Sequence, residues 1–242
     1  MRINVIEKEK GTKNLNSMIM TVDLGFVKAF FIKGEKYILI DTGVPKSFET
    51  IKRYMTDNGI NPKDISLVII THNHLDHTGS ISKVKELTGA PVLIHKSEDM
   101  YLSKGVTTPV QSRSMLPKLL MKIMKKPEIE TFNADIIIND NDVIDLEPYG
   151  AAGKVIHTPG HTDGSLSVVL DSGQAIVGDL FSGKKAKQGS KAKYPFIYCD
   201  LDAIKVSMKK LIDQGGKQFY NAHGVVCDEN ALMKLLEKEN NK

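Results

Sequence analysis

The sequence predicts an α/β protein made of two similar halves, each a run of short strands interleaved with or followed by helices. Apolar, β-branched runs recur between turn residues such as Gly, Pro, Asn and Asp, the pattern of half-buried or buried strands. Longer stretches carry apolar residues at i, i+3 and i+4, the pattern of amphipathic helices. A chain of 242 residues with 41% hydrophobic content can bury one substantial core, and no linker-like stretch interrupts it. A single domain over residues 1–242 is therefore expected.

Taken in order, residues 3–7, 17–22, 27–32 and 37–41 read as an opening antiparallel set turning at Gly25 and Gly34. Residues 45–58 place Phe48, Ile51, Tyr54 and Met55 on one helical face, and Asn58-Gly59 stops that helix. A buried strand follows at 64–70, then a helix at 80–87 and a strand at 91–95. The second half offers strands at 136–138, 143–146, 154–158, 166–170 and 174–178, then a helix at 202–214, a short strand at 218–220 and a helix at 228–238.

The strand at 64–70 runs directly into Thr71-His72-Asn73-His74-Leu75-Asp76-His77-Thr78, three imidazoles and a carboxylate in six positions. With 7 histidines in 242 residues, three chosen positions are all histidine by chance with a probability on the order of 10⁻⁵. This is the spacing of a metal site, and one ion needs further donors from elsewhere in the chain. His161 lies in the turn-rich stretch 158–164, Asp179 closes the apolar run 175–179, and His223 follows the short strand at 218–220. Each falls where a strand gives way to a loop, the usual position of functional side chains on a rigid scaffold. His95 and His157 sit on strands and read as structural or supporting residues, as does the strand-end carboxylate Asp41, which is costly to bury without hydrogen bonds.

His72-x-His74-x-Asp76-His77, Gly160-His161-Thr162, Gly178-Asp179 and His223-Gly224, preceded by Leu39-Ile40-Asp41-Thr42-Gly43, together resemble the metallo-β-lactamase fold superfamily. The resemblance implies an αββα four-layer sandwich of two mixed β-sheets flanked by helices, with the metal site at one edge. It further implies that His72, His74 and His161 hold one divalent ion, that Asp76, His77 and His223 hold a second, and that Asp179 bridges them. Nitrogen and oxygen donors without thiolate suit zinc, and they also accept iron or manganese. The implied chemistry is hydrolysis of an ester, thioester or lactone by a bridging hydroxide, with Asp76 as the catalytic proton carrier. Asp179, where the common zinc β-lactamases carry Cys, resembles the hydroxyacylglutathione hydrolase and lactonase branch. A phosphodiesterase or nuclease on the same two-metal core, and a metal-containing ligand sensor without catalysis, are the alternatives. The Tyr that lactonases carry three positions past the bridging Asp is Ser182 here, and Tyr194 is the residue available to replace it.

Residues 115–126 set Met115, Leu119, Leu120, Ile123 and Met124 against Lys118, Lys122, Lys125 and Lys126. They read either as part of a helical lid insertion at about 97–127 or as an ordinary packed helix. The five lysines of 184–193 read as a solvated loop or as a basic rim for anionic substrates. The net charge of +4, without a basic platform interleaved with aromatics, points to a small-molecule substrate rather than nucleic acid. No apolar run reaches the ~18 residues of a membrane span, and the first ten residues lack a signal-peptide core, so a cytoplasmic location with Cys199 and Cys227 reduced is expected. Oligomeric state stays open, a homodimer included.

Overall fold

The computed structural model describes residues 17–112 and 129–240. The strand expected at 3–7 and the amphipathic stretch 115–126 lie outside the described residues. The first half supplies β1 (Met18–Asp23), β2 (Lys28–Lys33), β3 (Tyr37–Ile40), β4 (Ile65–Ile69), β5 (Val92–His95), the short β6 (Gln111–Ser112) and β7 (Ile136–Ile138). Its helices are α1 (Phe48–Asp57), α2 (Leu75–Thr78), α3 (Ile81–Thr88) and α4 (Lys96–Leu102). The second half supplies β8 (Val143–Asp145), β9 (Gly153–His157), β10 (Leu166–Leu170), β11 (Gln174–Ile176), β12 (Ser182–Lys185), β13 (Ser190–Lys193), β14 (Ile197–Tyr198), β15 (Gln218–Tyr220) and β16 (Cys227–Asp228). Helices α5 (Leu201–Asp213) and α6 (Glu229–Asn240) complete it.

Two six-stranded mixed sheets result, in the orders β1-β2-β3-β4-β5-β7 and β16-β15-β11-β10-β9-β8. The opening strands pair antiparallel, as the turns at Gly25 and Gly34 require, whereas β3, β4, β5 and β7 run parallel because α1, α3 and α4 make the crossovers. Strand alternation sorts side chains into layers. Ile38, Ile40, Leu67, Ile69 and Leu93 meet Val155, Leu166, Val168, Leu170 and Ile176 between the sheets. The opposite pleat, with Leu39, Val68, Ile70 and Ile94, packs under Ile51 and Met55 of α1 and Ile81 and Val84 of α3. On the far side, Ile156, Val169, Ala175 and Phe219 pack under Ile204, Met208 and Leu211 of α5 and Leu232 and Leu236 of α6. Strands with both faces covered read as continuous apolar runs, which is why 65–70 shows no polar alternation. Each fully buried aliphatic side chain contributes about 1.5–3 kcal/mol, so the three clusters dominate the stability. The architecture is the expected αββα four-layer sandwich.

Local chemistry fixes the helix ends. Pro45 opens a 3-10 turn at Pro45–Ser47 before α1, so the helix begins three residues later than the periodicity suggests. The Asp200 carboxylate caps α5 by accepting from the backbone N–H groups of Asp202 and Ala203 at 2.8 and 3.0 Å. One expectation changes: the lysine-rich segment 184–193 is not an irregular loop but forms most of the β12–β13 hairpin, held by Gly183 opposite a buried Ala192. Gly183 and Ala192 supply the small inward face that alternation needs, Lys184, Lys191 and Lys193 take the outward positions, and Lys185 is exposed at the hairpin end.

Candidate metal centre

The site lies where strands of both sheets end. β4 delivers Thr71 and His72, and α2 starts at once, with His74 at its N-cap and Asp76 and His77 inside its single turn. The helical turn was not legible in the sequence, yet it is what points His74, Asp76 and His77 to one side. His161 comes from the turn between β9 and β10, Asp179 from just beyond β11, and His223 from just beyond β15. Gly178 precedes Asp179 with φ +52°, and a Cβ there would lie 2.8 Å from the Thr71 hydroxyl, so only glycine lets this loop close on the His run.

All seven sequence-derived residues come together. Nε2 of His72, Nδ1 of His74 and Nε2 of His161 form a triangle with edges of 3.1, 3.1 and 3.2 Å. Tetrahedral zinc, with Zn–N bonds of about 2.0–2.1 Å, separates its ligand atoms by about 3.3 Å, so the spacing fits. Beside it, His223 Nε2 lies 3.3 Å from both Asp76 Oδ2 and Asp179 Oδ2, and His77 Nε2 lies 3.4 Å from Asp179 Oδ1. His77 Nε2 and Asp179 Oδ1 are buried and form no well-directed hydrogen bond, the condition a cation between them would relieve. Asp179 also approaches His161 Nε2 at 3.7 Å and so stands between the two groups.

The second nitrogen of each histidine is committed elsewhere, which fixes which atom faces the centre. His77 Nδ1–H donates to Asp41 at 2.8 Å, His161 Nδ1–H to the Ile197 carbonyl at 2.9 Å, and His223 Nδ1–H to the Phe26 carbonyl at 2.8 Å. His74 Nε2–H donates to the Thr108 carbonyl at 3.3 Å and His72 Nδ1–H to the Thr71 hydroxyl at 3.1 Å. At His72, His74 and His161 the inward nitrogens therefore present lone pairs, while at His77 and His223 the inward nitrogens face carboxylates. Asp41 is the support beneath the loop: buried, with φ 62°, it accepts from the Thr71 amide, the Thr71 hydroxyl and His77.

Electrostatics divides the centre in two. Burial pushes the His72 and His74 imidazoles below the usual histidine range, aided by His77, and lowers His161 to about 4. These three are neutral at pH 7, the form that binds metal. Burial also opposes charge on His77 and His223, but Asp41, Asp179 and Asp76 outweigh it at His77, while Asp179 and Asp76 raise His223 to about 10. Conversely, burial works against the Asp76 carboxylate, yet His77 and His223 hold it down to about 2, and the same histidines keep Asp179 well below the carboxylate range.

A cavity of about 230 Å³ opens on the centre, walled on its apolar side by Phe181, Pro195, Phe196 and Ile197. Phe196 in this wall is 89% exposed, and Phe26, stacked on His223, is 65% exposed. Tyr194, the residue available to replace a lactonase Tyr, packs against the cluster beneath α5 and α6, and its neighbours Pro195 and Phe196 are among the residues lining the cavity. His95 and His157 stand apart, with rings stacked at 4.4 Å and 6°. Parallel rings cannot both aim in-plane lone pairs at one ion, so their proximity to Asp140 makes a packed polar cluster rather than another metal cage.

Residues 22–202 match the family model described as the metallo-beta-lactamase superfamily. This chain belongs to that superfamily. Among its curated relatives, a probable metallo-hydrolase of Methanocaldococcus jannaschii is 34% identical over 155 residues, covering 62% of this chain and 65% of the relative. An atrochrysone carboxyl ACP thioesterase of Pseudocercospora fijiensis is 29% identical over 216 residues, covering 86% of this chain and 51% of the relative. The chain thus spans less than two thirds of either relative's length. A metallo-beta-lactamase superfamily protein of the archaeon Sulfolobus tokodaii shares the fold, with a TM-score of 0.61 at 21% identity over 93% of this chain and 86% of its own. The His/Asp clusters of this superfamily member suit divalent cations. Among the described residues, no helix is long and apolar enough to cross a membrane.

Proposed function

We propose that the protein is a metal-dependent hydrolase acting on the carbonyl of a small ester, thioester or lactone, with two divalent cations, zinc foremost. The observation that carries this reading is the triangle of inward imidazole nitrogens beside a second cluster of Asp76, Asp179, His77 and His223 whose ligand atoms converge. His72, His74 and His161 would hold one ion, Asp76, His77 and His223 the other, and Asp179 both. When bound, such a pair supplies Lewis acidity and lowers the pKa of water near neutral pH. The chain's own residues do the rest. Asp76, ionised and a quarter exposed at the cavity, takes up the proton released by the attacking water and returns it to the leaving oxygen or sulfur. Phe181, Pro195 and Ile197 exclude water from one side and seat an apolar acyl group.

The apolar wall favours acyl over phosphoryl substrates, because no lysine of the β12–β13 hairpin is among the cavity-lining residues described. The thioesterase named among the relatives supports the same class. The test is a metal determination on protein purified without added metal, followed by rates on matched thioester, ester, lactone and bis(p-nitrophenyl) phosphate substrates. Acyl turnover that disappears with a chelator and returns with zinc is expected. A faster phosphodiester rate would replace the reading with phosphodiesterase chemistry, and binding without turnover across the panel would replace it with a sensor.

A further inference from the structure

Glu98, on α4, is fully buried, carries a carboxylate, and has no cationic partner among the described residues. A lone buried carboxylate is expensive unless donors surround it. Its Oε2 accepts from the Asn73 amide at 2.7 Å and the Thr108 hydroxyl at 2.7 Å, and its Oε1 accepts from the Gly164 amide at 3.0 Å. Asn73 is the residue between His72 and His74. Thr108 carries the carbonyl that accepts from His74, and its own amide donates to the Asn73 carbonyl at 3.1 Å. Gly164 lies in the turn that begins with His161, and a Cβ there would fall 2.7 Å from Glu98 Cγ.

From this convergence we infer that Glu98 is a positioning residue of the metal centre, clamping the two loops that bring His72, His74 and His161 within reach of one ion. The inference rests on the metal-site reading above. The two loops come from opposite halves of the sandwich, and Glu98 holds both through one rigid carboxylate. Only a carboxylate offers acceptors, and no donor, to all three groups at once. An apolar residue of similar volume would leave the buried Asn73 and Gly164 amides without acceptors, so the carboxylate ties the register of both loops to one side chain.

The experiment is cobalt(II) titration of the chelator-stripped full chain, read by visible absorption, for the native protein, Glu98→Gln, Thr108→Val and Thr108→Ser. Glutamine has the same shape but one oxygen, so its NH₂ must face either the Gly164 or the Asn73 amide and push one loop away. Expected is a 10- to 100-fold weaker uptake at the three-histidine site for Glu98→Gln, with an altered cobalt spectrum. Thr108→Val, which removes only the hydroxyl, should move in the same direction, and Thr108→Ser should restore native behaviour. A Glu98→Gln protein that melts earlier yet binds cobalt with native affinity and spectrum would mean a purely structural role and would overturn the inference. Native affinity in Thr108→Val removes the Thr108 arm of the clamp and overturns it as stated. A native protein that takes up no cobalt overturns the metal reading itself, a result distinct from variants that match a cobalt-binding native protein.

Discussion

Replacing Asp41 with Asn isolates one carboxylate's effect on one half of the centre. Asn is isosteric and tolerates the left-handed backbone found at Asp41, φ 62°, so the chain path should survive. Asp41 accepts three hydrogen bonds at 2.8 Å, from the Thr71 amide, the Thr71 hydroxyl and His77 Nδ1–H. If the Asn oxygen keeps the Thr71 amide, its NH₂ stands where Oδ2 stood and donates toward His77 Nδ1. A neutral His77 then keeps its proton on Nε2, the atom that faces Asp179 at 3.4 Å and whose lone pair a metal ion would need. A hydrogen bond to a charged group contributes about 1.5–3 kcal/mol, and because His77 can shed its own proton the loss in metal-free stability should stay in that range. Zinc affinity at the Asp76, His77 and His223 group should fall about 10- to 100-fold, equal to about 1.4–2.8 kcal/mol, whereas the three-histidine group should change far less. Competition against a chromophoric chelator resolves two affinities, and nitrogen NMR of the His77 ring reports the tautomer. Equal weakening of both sites, or an unchanged tautomer with native affinities, would refute the reasoning.

Other outcomes follow from the same geometry. Asp179→Ala should bring metal content from two ions per chain toward one and cut turnover by at least about 100-fold, measured by elemental analysis and steady-state rates; native content and rate would remove Asp179 from the bridging position. Zinc loading at pH 7 should release protons from His77 and His223, whose pKa values are raised, and none from His72, His74 and His161, whose values are lowered, so calorimetry in buffers of different ionisation enthalpy should assign proton release to one of two binding events. In the metal-free protein the raised His223 value means its contribution to stability is full below about 6.5 and is lost as pH climbs toward about 10, so the melting temperature of chelated protein should fall between pH 7 and 10. A flat profile there would count against the His223 ion pairs. Phe219→Ala, which empties a fully buried position against Phe181, should cost about 3–5 kcal/mol in denaturant unfolding, a loss of fold stability rather than of a metal ligand.

The four layers were readable because burial leaves a period in the sequence: Ile51 and Met55 a turn apart on α1, and Leu67, Val68, Ile69 and Ile70 continuous on a strand covered on both faces. The seven candidate ligands were readable because ligand chemistry restricts residue type and because His72, His161, Asp179 and His223 follow closely on strand ends. Apart from Asp41, what supports them was not. Glu98 looks like any acid on an exposed helix, Thr108 like any loop hydroxyl, and the hairpin of 182–193 like a solvated lysine loop, since nothing local distinguishes a buried polar group from an exposed one. Sequence alone determined which side chains can coordinate and which faces are apolar, for these are properties of residue type and spacing. The tertiary structure decided which nitrogen of each imidazole turns inward, which histidines are neutral and which carboxylate joins the loops, because those depend on partners tens of residues away brought into hydrogen-bonding range by the packing of two sheets.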